Sequence, residues 1–323
     1  MPNHAHLLML DKDQVELLLE PAATLEAVKE AFLLHSQQQG RVFPVVREAL
    51  STGGVFGIKS GDVQSQGLLG FKAAGFWPSN TALGGERHQA TIMLIDPATG
   101  RPLCMIDGNA VTTMRTGAAG ALGISLLARQ DSQSVCVFGT GVPARIQLEY
   151  ALSMLPSLLE VRYVTNSGQP DVGFEGCFTG GCVLTHVVDR NAAVAASDIV
   201  ITTTPGRTVL FDLEAVRPGT HINCVGTDTR GKRELPEGLL ARSHLFVDDR
   251  VQAGQIGETQ WAPETPCVEI GDLLTGNAPF LRERDDITVF DMTGLALQDL
   301  TTARLLHRRA SAAQVGTKLA WPW

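Results

Sequence analysis

Ser134-Val-Cys-Val-Phe-Gly139-Thr-Gly141-Val-Pro-Ala144-Arg-Ile-Gln147 decides how this chain is read. Val135 to Phe138 is an uninterrupted apolar run, the pattern of a strand buried on both faces. It leads into Gly139-x-Gly141-x-x-Ala144, after which the apolar spacing turns helical through Met154. Gly139 permits a tight turn, and Gly141 lets the backbone approach a pyrophosphate. Ala144 is small enough for close helix–strand packing, and the free N–H groups of the new helix, from Val142 onward, face the anion. A glycine pattern alone is a weak signal. The strand before it and the helix after it make a dinucleotide site the expectation, ahead of an ordinary strand–turn–helix. Pro143 stands in the first turn, where a missing N–H is tolerated but one phosphate donor is lost.

Composition agrees with an enzyme rather than a binder of polyanions. A chain of 323 residues is long enough for two domains, each with its own core. The net charge of −8 argues against nucleic acid or an anionic membrane as partner. No apolar stretch reaches the ~18 residues that span a bilayer, and Met1-Pro-Asn-His-Ala-His lacks a basic region leading into a signal core. Several of the six cysteines (Cys104, Cys136, Cys224) sit in apolar runs, as reduced buried thiols of a cytoplasmic protein do. Only Cys177 and Cys182 lie close together, with His186 the single histidine near them, so no metal site is expected.

Two or three short strands and a helix, Leu17 to Gln37, should open the chain. From Val42 to Asp107 short strands with glycine punctuation predict an antiparallel sheet, with a hairpin-type turn at Asp96-Pro-Ala-Thr-Gly100. Ala110 to Leu127 reads as an Ala- and Gly-rich helix. From Ser134 the alternation is strand, helix, strand. Apolar runs at 135–138, 161–165, 183–188, 199–203, 221–225, 245–247 and 287–290 predict a doubly wound parallel sheet. Residues 168 to 181 hold five glycines, so that crossover should be short and irregular. Leu295 to Arg309 reads as a final helix. The expected class is α/β: a Rossmann domain over 116–298, and a smaller α+β domain with an antiparallel sheet over 1–115 and 299–323.

Five further segments carry a resemblance. They are Gly70-Phe-Lys72 with Pro78-x-Asn80, Leu94-x-Asp96-x-x-Thr-Gly100, Thr112-Thr-Met-Arg115-Thr-Gly-Ala-Ala119, His221-Ile-Asn-Cys-Val-Gly226-Thr-Asp228-Thr-Arg-Gly-Lys232-Arg-Glu-Leu235, and Phe290-Asp-Met-Thr-Gly294-Leu-Ala-x-Gln-Asp299. Read together and in this order, the chain resembles the ornithine cyclodeaminase/mu-crystallin family over nearly its whole length. The resemblance implies an N-terminal substrate and dimerisation domain, completed by the C-terminal helix, with a Rossmann domain inserted. It also implies NAD or NADP as cofactor, a small imino or amino acid as substrate, and a homodimer.

Lys72 lies in an otherwise apolar strand and Arg115 among small residues, and a buried cation needs an anion. A structural salt bridge to Asp or Glu would satisfy them. The resemblance instead implies a clamp on the substrate α-carboxylate, with Arg41 as a looser third member and Lys72 beside the chemistry. Asp228 follows a strand end and a glycine; N-capping is its bland role, and proton transfer to or from the substrate nitrogen is the role the resemblance implies. Lys232, Thr204, Val225, Gly226, Thr227, Met292 and Thr293 match positions around cofactor and substrate, although the family usually has a smaller residue than Met292. After the second Rossmann strand stand Thr165, Asn166 and Ser167. No acid there repels a 2′-phosphate and no Arg holds one, so both cofactors are allowed. His88 is expected to be structural.

Family cyclodeaminases carry an acid on the strand before the Lys72 strand, where this chain reads Gly57-Ile58-Lys59-Ser60. Lys59 near Lys72 and Arg115, with Arg41 or Arg87, would repel ornithine and favour a second carboxylate. Reduction of an imino acid is therefore expected, iminosuccinate giving aspartate or a cyclic ketimine. The alternatives are ornithine or lysine cyclodeamination with bound NAD, and a non-catalytic nicotinamide-binding protein. A solvent-facing Lys59 would remove the argument for a dicarboxylate.

Overall fold

The computed structural model describes residues 5–322. The opening Met1-Pro-Asn-His4 read above for a leader lies outside the described residues. The chain divides into two units, Met1–Arg115 with Leu295–Trp323, and Thr116–Gly294. The second crossing falls four residues earlier than the sequence placed it, because the whole final helix belongs with the first unit.

The first unit opens with one strand, His6–Leu10, and two helices, Lys12–Leu18 and Pro21–Ser36. This corrects the expectation of two or three strands and one helix. Asp11 makes a capping box, accepting from the Gln14 N–H at 2.9 Å while Gln14 accepts from the Asp11 N–H at 3.1 Å, and so starts a helix that hydrophobic spacing alone did not reveal. The sheet runs in the order Thr317–Ala320, His6–Leu10, Pro102–Asp107, His88–Ile95, Leu68–Phe76, Val55–Val63, Arg41–Val42, with Val46–Ala49 also paired to Val55–Val63. His6–Leu10 runs parallel to Pro102–Asp107; the other pairs are antiparallel. The last strand, Thr317–Ala320, was not foreseen.

Register is what matters for the site. Gly61 stands opposite Gly70, Lys59 opposite Lys72, and Gly57 opposite Arg47. Because side chains alternate along a strand, these residues share one face. The final helix, Ala296–Ala313, packs on that face: a Cβ on Gly70 would lie 2.9 Å from Leu300 Cδ2. Leu297, Leu300, Ile92, Leu94 and Ile106 fill the core there.

The second unit is a doubly wound α/β domain. Its eight parallel strands run in the order Val183–His186, Glu160–Val164, Ser134–Phe138, Ile199–Thr202, His221–Cys224, Thr288–Asp291, His244–Val247, Cys267–Glu269. Cys267–Glu269 is too short for its pattern to show in the sequence. The order reverses between Ser134–Phe138 and Ile199–Thr202, the switch point where such sheets bind ligands beyond the strands' carboxyl ends. The glycines of the Ala/Gly-rich helix have a packing role: a Cβ on Gly117 would sit 2.6 Å from Ile146 Cγ1 of helix Val142–Met154. The glycine-rich crossover holds only the turn Val172–Glu175 and one 3-10 turn. Cys104, Cys136 and Cys224 are buried. No helix among the described residues is long and apolar enough to cross a membrane.

Candidate active site

In the first unit Lys72 and Arg115 converge on one carboxylate. Lys72 Nζ lies 2.8 Å from Asp299 Oδ1 and 2.7 Å from Oδ2, and Arg115 Nε donates to Oδ1 at 3.1 Å. Arg115 Nη1 also donates to Gln298 at 3.2 Å, and Lys72 to the Thr112 hydroxyl at 3.3 Å. All three charged groups are buried, Asp299 at 1% exposure. The structural salt bridge weighed from sequence therefore exists, and Asp299 is the acid the sequence reading did not assign. Its signal was available: it is an acid one residue before the buried Leu300 on the final helix.

A third cation stands close to this cluster. Lys59, half-buried, faces the same side directly opposite Lys72. Burial, then Arg115, then Lys59 act against Asp299 and push the Lys72 ammonium down to about 7. Burial pushes Asp299 up, but Lys72 and Arg115 outweigh it and hold its carboxyl below the usual range. Burial is the main cause for Lys72, and the neighbouring cations are the cause for Asp299.

Arg41 is not brought to this cluster. Its guanidinium pairs with Asp62 at 2.8 and 2.5 Å, and the register puts both on the opposite face from Lys72. Arg47, which the sequence reading passed over, is the arginine whose register places it on the Lys59–Lys72 face. Counting alternate residues back through the paired strands would have found it. Arg87 donates to Thr81 within its own loop at 2.8 Å, and His88 Nδ1 lies 3.0 Å from Asn109 Oδ1, a structural contact.

In the second unit the glycine loop packs closely at Gly139 and leaves open space at Gly141. Gly139 has φ +103°, and a Cβ there would lie 2.8 Å from Thr203 Oγ1. Gly141 has φ −71°, open to any residue, and a Cβ there would meet nothing nearer than Pro143 Cδ at 3.7 Å. Space beside the backbone is therefore left free where the helix N–H groups emerge. A cleft of about 430 Å³ runs from Gly139 and Thr140 past Thr165, Asn166 and Ser167 to Asp171. Ala144 and Val142 divide their work: Ala144 is fully buried against the sheet, whereas Val142 is exposed at the helix start. The residues present fit a dinucleotide. Asp171, the N-cap of the turn Val172–Glu175, is an acid in the wall of this cleft that the sequence reading did not single out. The Thr140 hydroxyl, the Phe174 and Gly173 N–H groups and nearby Arg145 hold its carboxyl below the usual range.

Asp228 lies in the loop after strand His221–Cys224. Its Oδ1 accepts from Lys232 Nζ at 2.8 Å and from the Thr229 hydroxyl at 3.0 Å. Lys232 also donates to the Gly226 carbonyl at 3.0 Å, so it braces this loop. Two threonine side chains turn inward. The Thr227 hydroxyl donates to Glu258 at 2.5 Å, and the Thr293 hydroxyl donates to Asp248 and accepts from Gln252, both at 2.6 Å. Met292 is buried beside Thr293, and Val225 and Gly226 are half-buried in the Asp228 loop.

Gly141→Val tests the glycine loop. The backbone there accepts valine, so the variant should fold, and a branched side chain would occupy the free space. NADH affinity measured by fluorescence should fall at least about tenfold, ~1.4 kcal/mol. Unchanged affinity would remove the dinucleotide reading.

A family model described as the ornithine cyclodeaminase/mu-crystallin family matches residues 6–314. The iminosuccinate reductase of Paracoccus denitrificans is 32% identical over 92% of this chain and 95% of its own. An archaeal alanine dehydrogenase dimer with bound NAD superposes with a TM-score of 0.91 at 30% identity, over 98% of this chain and 100% of that one. The Δ1-pyrroline-2-carboxylate reductase of Thermococcus litoralis, solved with NADH and L-proline, gives a TM-score of 0.88 at 27% identity, over 97% of this chain and 100% of that one. With these matches spanning both units, the chain belongs to the ornithine cyclodeaminase/mu-crystallin family.

Proposed function

We propose that this protein is an NAD(P)H-dependent imine reductase that forms a small amino acid. Gly139, Gly141 and the start of helix Val142–Met154 would hold a reduced nicotinamide dinucleotide along the cleft of the second unit, and that group would supply a hydride for the imine carbon. Lys72 and Arg115 hold the substrate α-carboxylate, Arg115 as a two-pronged donor. Asp228 gives the substrate nitrogen its proton and recovers one from solvent, so that imine, NADH and one proton become amine and NAD⁺. Asp171, a fixed negative charge in the cleft wall, favours NADH over a cofactor bearing a 2′-phosphate.

The observation that supports the substrate class is the gathering of three cationic side chains, Lys59, Lys72 and Arg115, about Asp299. Arg47, on the same face, replaces Arg41 as its further member. Such a face suits a dicarboxylic imino acid such as iminosuccinate and opposes the distal ammonium of ornithine. The test is NADH oxidation with oxaloacetate plus ammonia, pyruvate plus ammonia and a cyclic ketimine, each repeated with NADPH. The expected result is fastest turnover on the dicarboxylic imine with NADH. Conversion of ornithine to proline with release of ammonia would overturn the choice of chemistry.

The chain is also inferred to act as a homodimer through its first unit. Ile58, Phe71, Met93 and Met105 line the sheet face opposite the final helix and each stays half-exposed. An apolar strip of this kind suits an isologous twofold contact. Light scattering should give twice the 34.5 kDa chain mass; monomer alone at micromolar concentration would contradict it.

A further inference from the structure

Several buried carboxylates lie at the carboxyl ends of the second unit's strands, and the reaction just described uses none of them. Glu234 is fully buried. Its Oε1 accepts from the Thr204 N–H and the Thr204 hydroxyl, both at 2.7 Å, and its Oε2 accepts from the Gly226 N–H at 3.1 Å. Thr204 and Gly226 follow two neighbouring strands, Ile199–Thr202 and His221–Cys224. The Val225 and Gly226 N–H groups already donate to the Thr202 carbonyl at 2.8 and 3.1 Å, and the Glu234 side chain extends that tie outward to Thr204. Glu258, 1% exposed, forms the next link: its Oε1 accepts from the Thr227 hydroxyl at 2.5 Å and the Glu234 N–H at 2.6 Å.

We propose that Glu234 and Glu258 are positioning residues that latch the Asp228 loop to the Thr204 loop, setting where the proton donor stands relative to the cofactor. The proposal rests on the reading above in which Asp228 donates the proton and Thr204 and Gly226 border the cofactor. Packing alone does not explain the arrangement. Burying acids near one another is costly, and apolar residues would fill the space more cheaply. Burial pushes Glu258 up to about 7, with Asp291 and Glu234 adding to it, and burial raises Glu234 against the pull of Thr204 and Lys232. What the carboxylates supply is several converging acceptors at fixed geometry, which supports a preorganised site. The latch leaves no room to adapt: a Cβ on Gly226 would press on both Glu234 oxygens.

Glu234→Gln tests this. An amide presents one acceptor and one donor, so it cannot accept from both loops, and one side of the latch must open. The expected result is NADH affinity weakened about fivefold or more and kcat/KM lowered about tenfold or more. Glu258→Gln keeps an oxygen for Thr227 and for the Glu234 N–H and should stay near wild type, whereas Glu258→Leu should lose activity as Glu234→Gln does. A folded Glu234→Gln with NADH affinity and kcat within about twofold of wild type would overturn the proposal. So would a folded Glu258→Leu that matches Glu258→Gln, which keeps the test decisive if Glu234→Gln fails to fold. Failure of the proton-donor reading is separate: it appears as an Asp228→Asn variant with normal kcat, while the loss of NADH affinity in Glu234→Gln would still report the latch.

Discussion

Asp228→Asn is expected to fold, to bind NADH normally and to lose at least about a hundredfold in kcat. The substitution changes charge and proton content but little shape. An asparagine oxygen can still accept from Lys232 Nζ, now 2.8 Å from Asp228 Oδ1, and from the Thr229 hydroxyl. The loop is held independently by Glu234 at the Gly226 N–H and by Glu258 at the Thr227 hydroxyl, so its path should survive. What disappears is a group that can hold a proton and release it to nitrogen. Reduction measured at saturating NADH should therefore fall in kcat rather than in cofactor affinity. A variant with kcat within a few-fold of wild type would assign the proton to another group. Lys72, pushed down to about 7 by burial and its neighbours, would then be the first to examine.

Lys59→Ala is expected to separate substrates by class. Removing one charge-assisted contact of ~1.5–3 kcal/mol should lower kcat/KM on dicarboxylic imines roughly 10- to 100-fold, mostly through KM, while sparing monocarboxylic ones. The register sets the direction of this expectation: Lys59 stands opposite Lys72 on the helix-covered face rather than on the face of Asp62. A second consequence has a definite sign. Lys59 is one of the charges holding Lys72 down, so its removal raises Lys72 and keeps the clamp cationic to higher pH. The alkaline limb of the pH profile should move upward in the variant. Equal losses on both substrate classes, or no loss, would sink the dicarboxylate reading and leave the broader imine reductase.

Much of the second unit was legible because its signals are local. Val135 to Phe138, Gly139, Gly141 and Ala144 specify strand, turn and helix within a dozen residues, and each apolar run from 161 to 290 reports its own strand. The elements that escaped notice had weak local signals. Lys12–Leu18 depends on a cap rather than on hydrophobic spacing, Cys267–Glu269 is three residues long, and Thr317–Ala320 is an edge strand whose partner is His6–Leu10 at the other end of the chain.

The chain's local sequence was enough to determine a Rossmann domain with a glycine loop after its first strand, a pair of buried cations at Lys72 and Arg115, and a carboxylate in the loop after a sheet strand. Tertiary structure alone decided who partners whom. Asp299 reaches Lys72 across 227 positions of sequence because the final helix docks on paired glycines. Strand register sends Arg41 to Asp62 and puts Arg47 beside Lys59, a distinction between two faces that a one-residue shift would reverse. Asp171 lines the cleft beside the glycine loop only because the short glycine-rich crossover folds back on the loop after the second strand. Local patterns follow from backbone geometry and burial within one element, whereas charge pairing follows from which elements pack together.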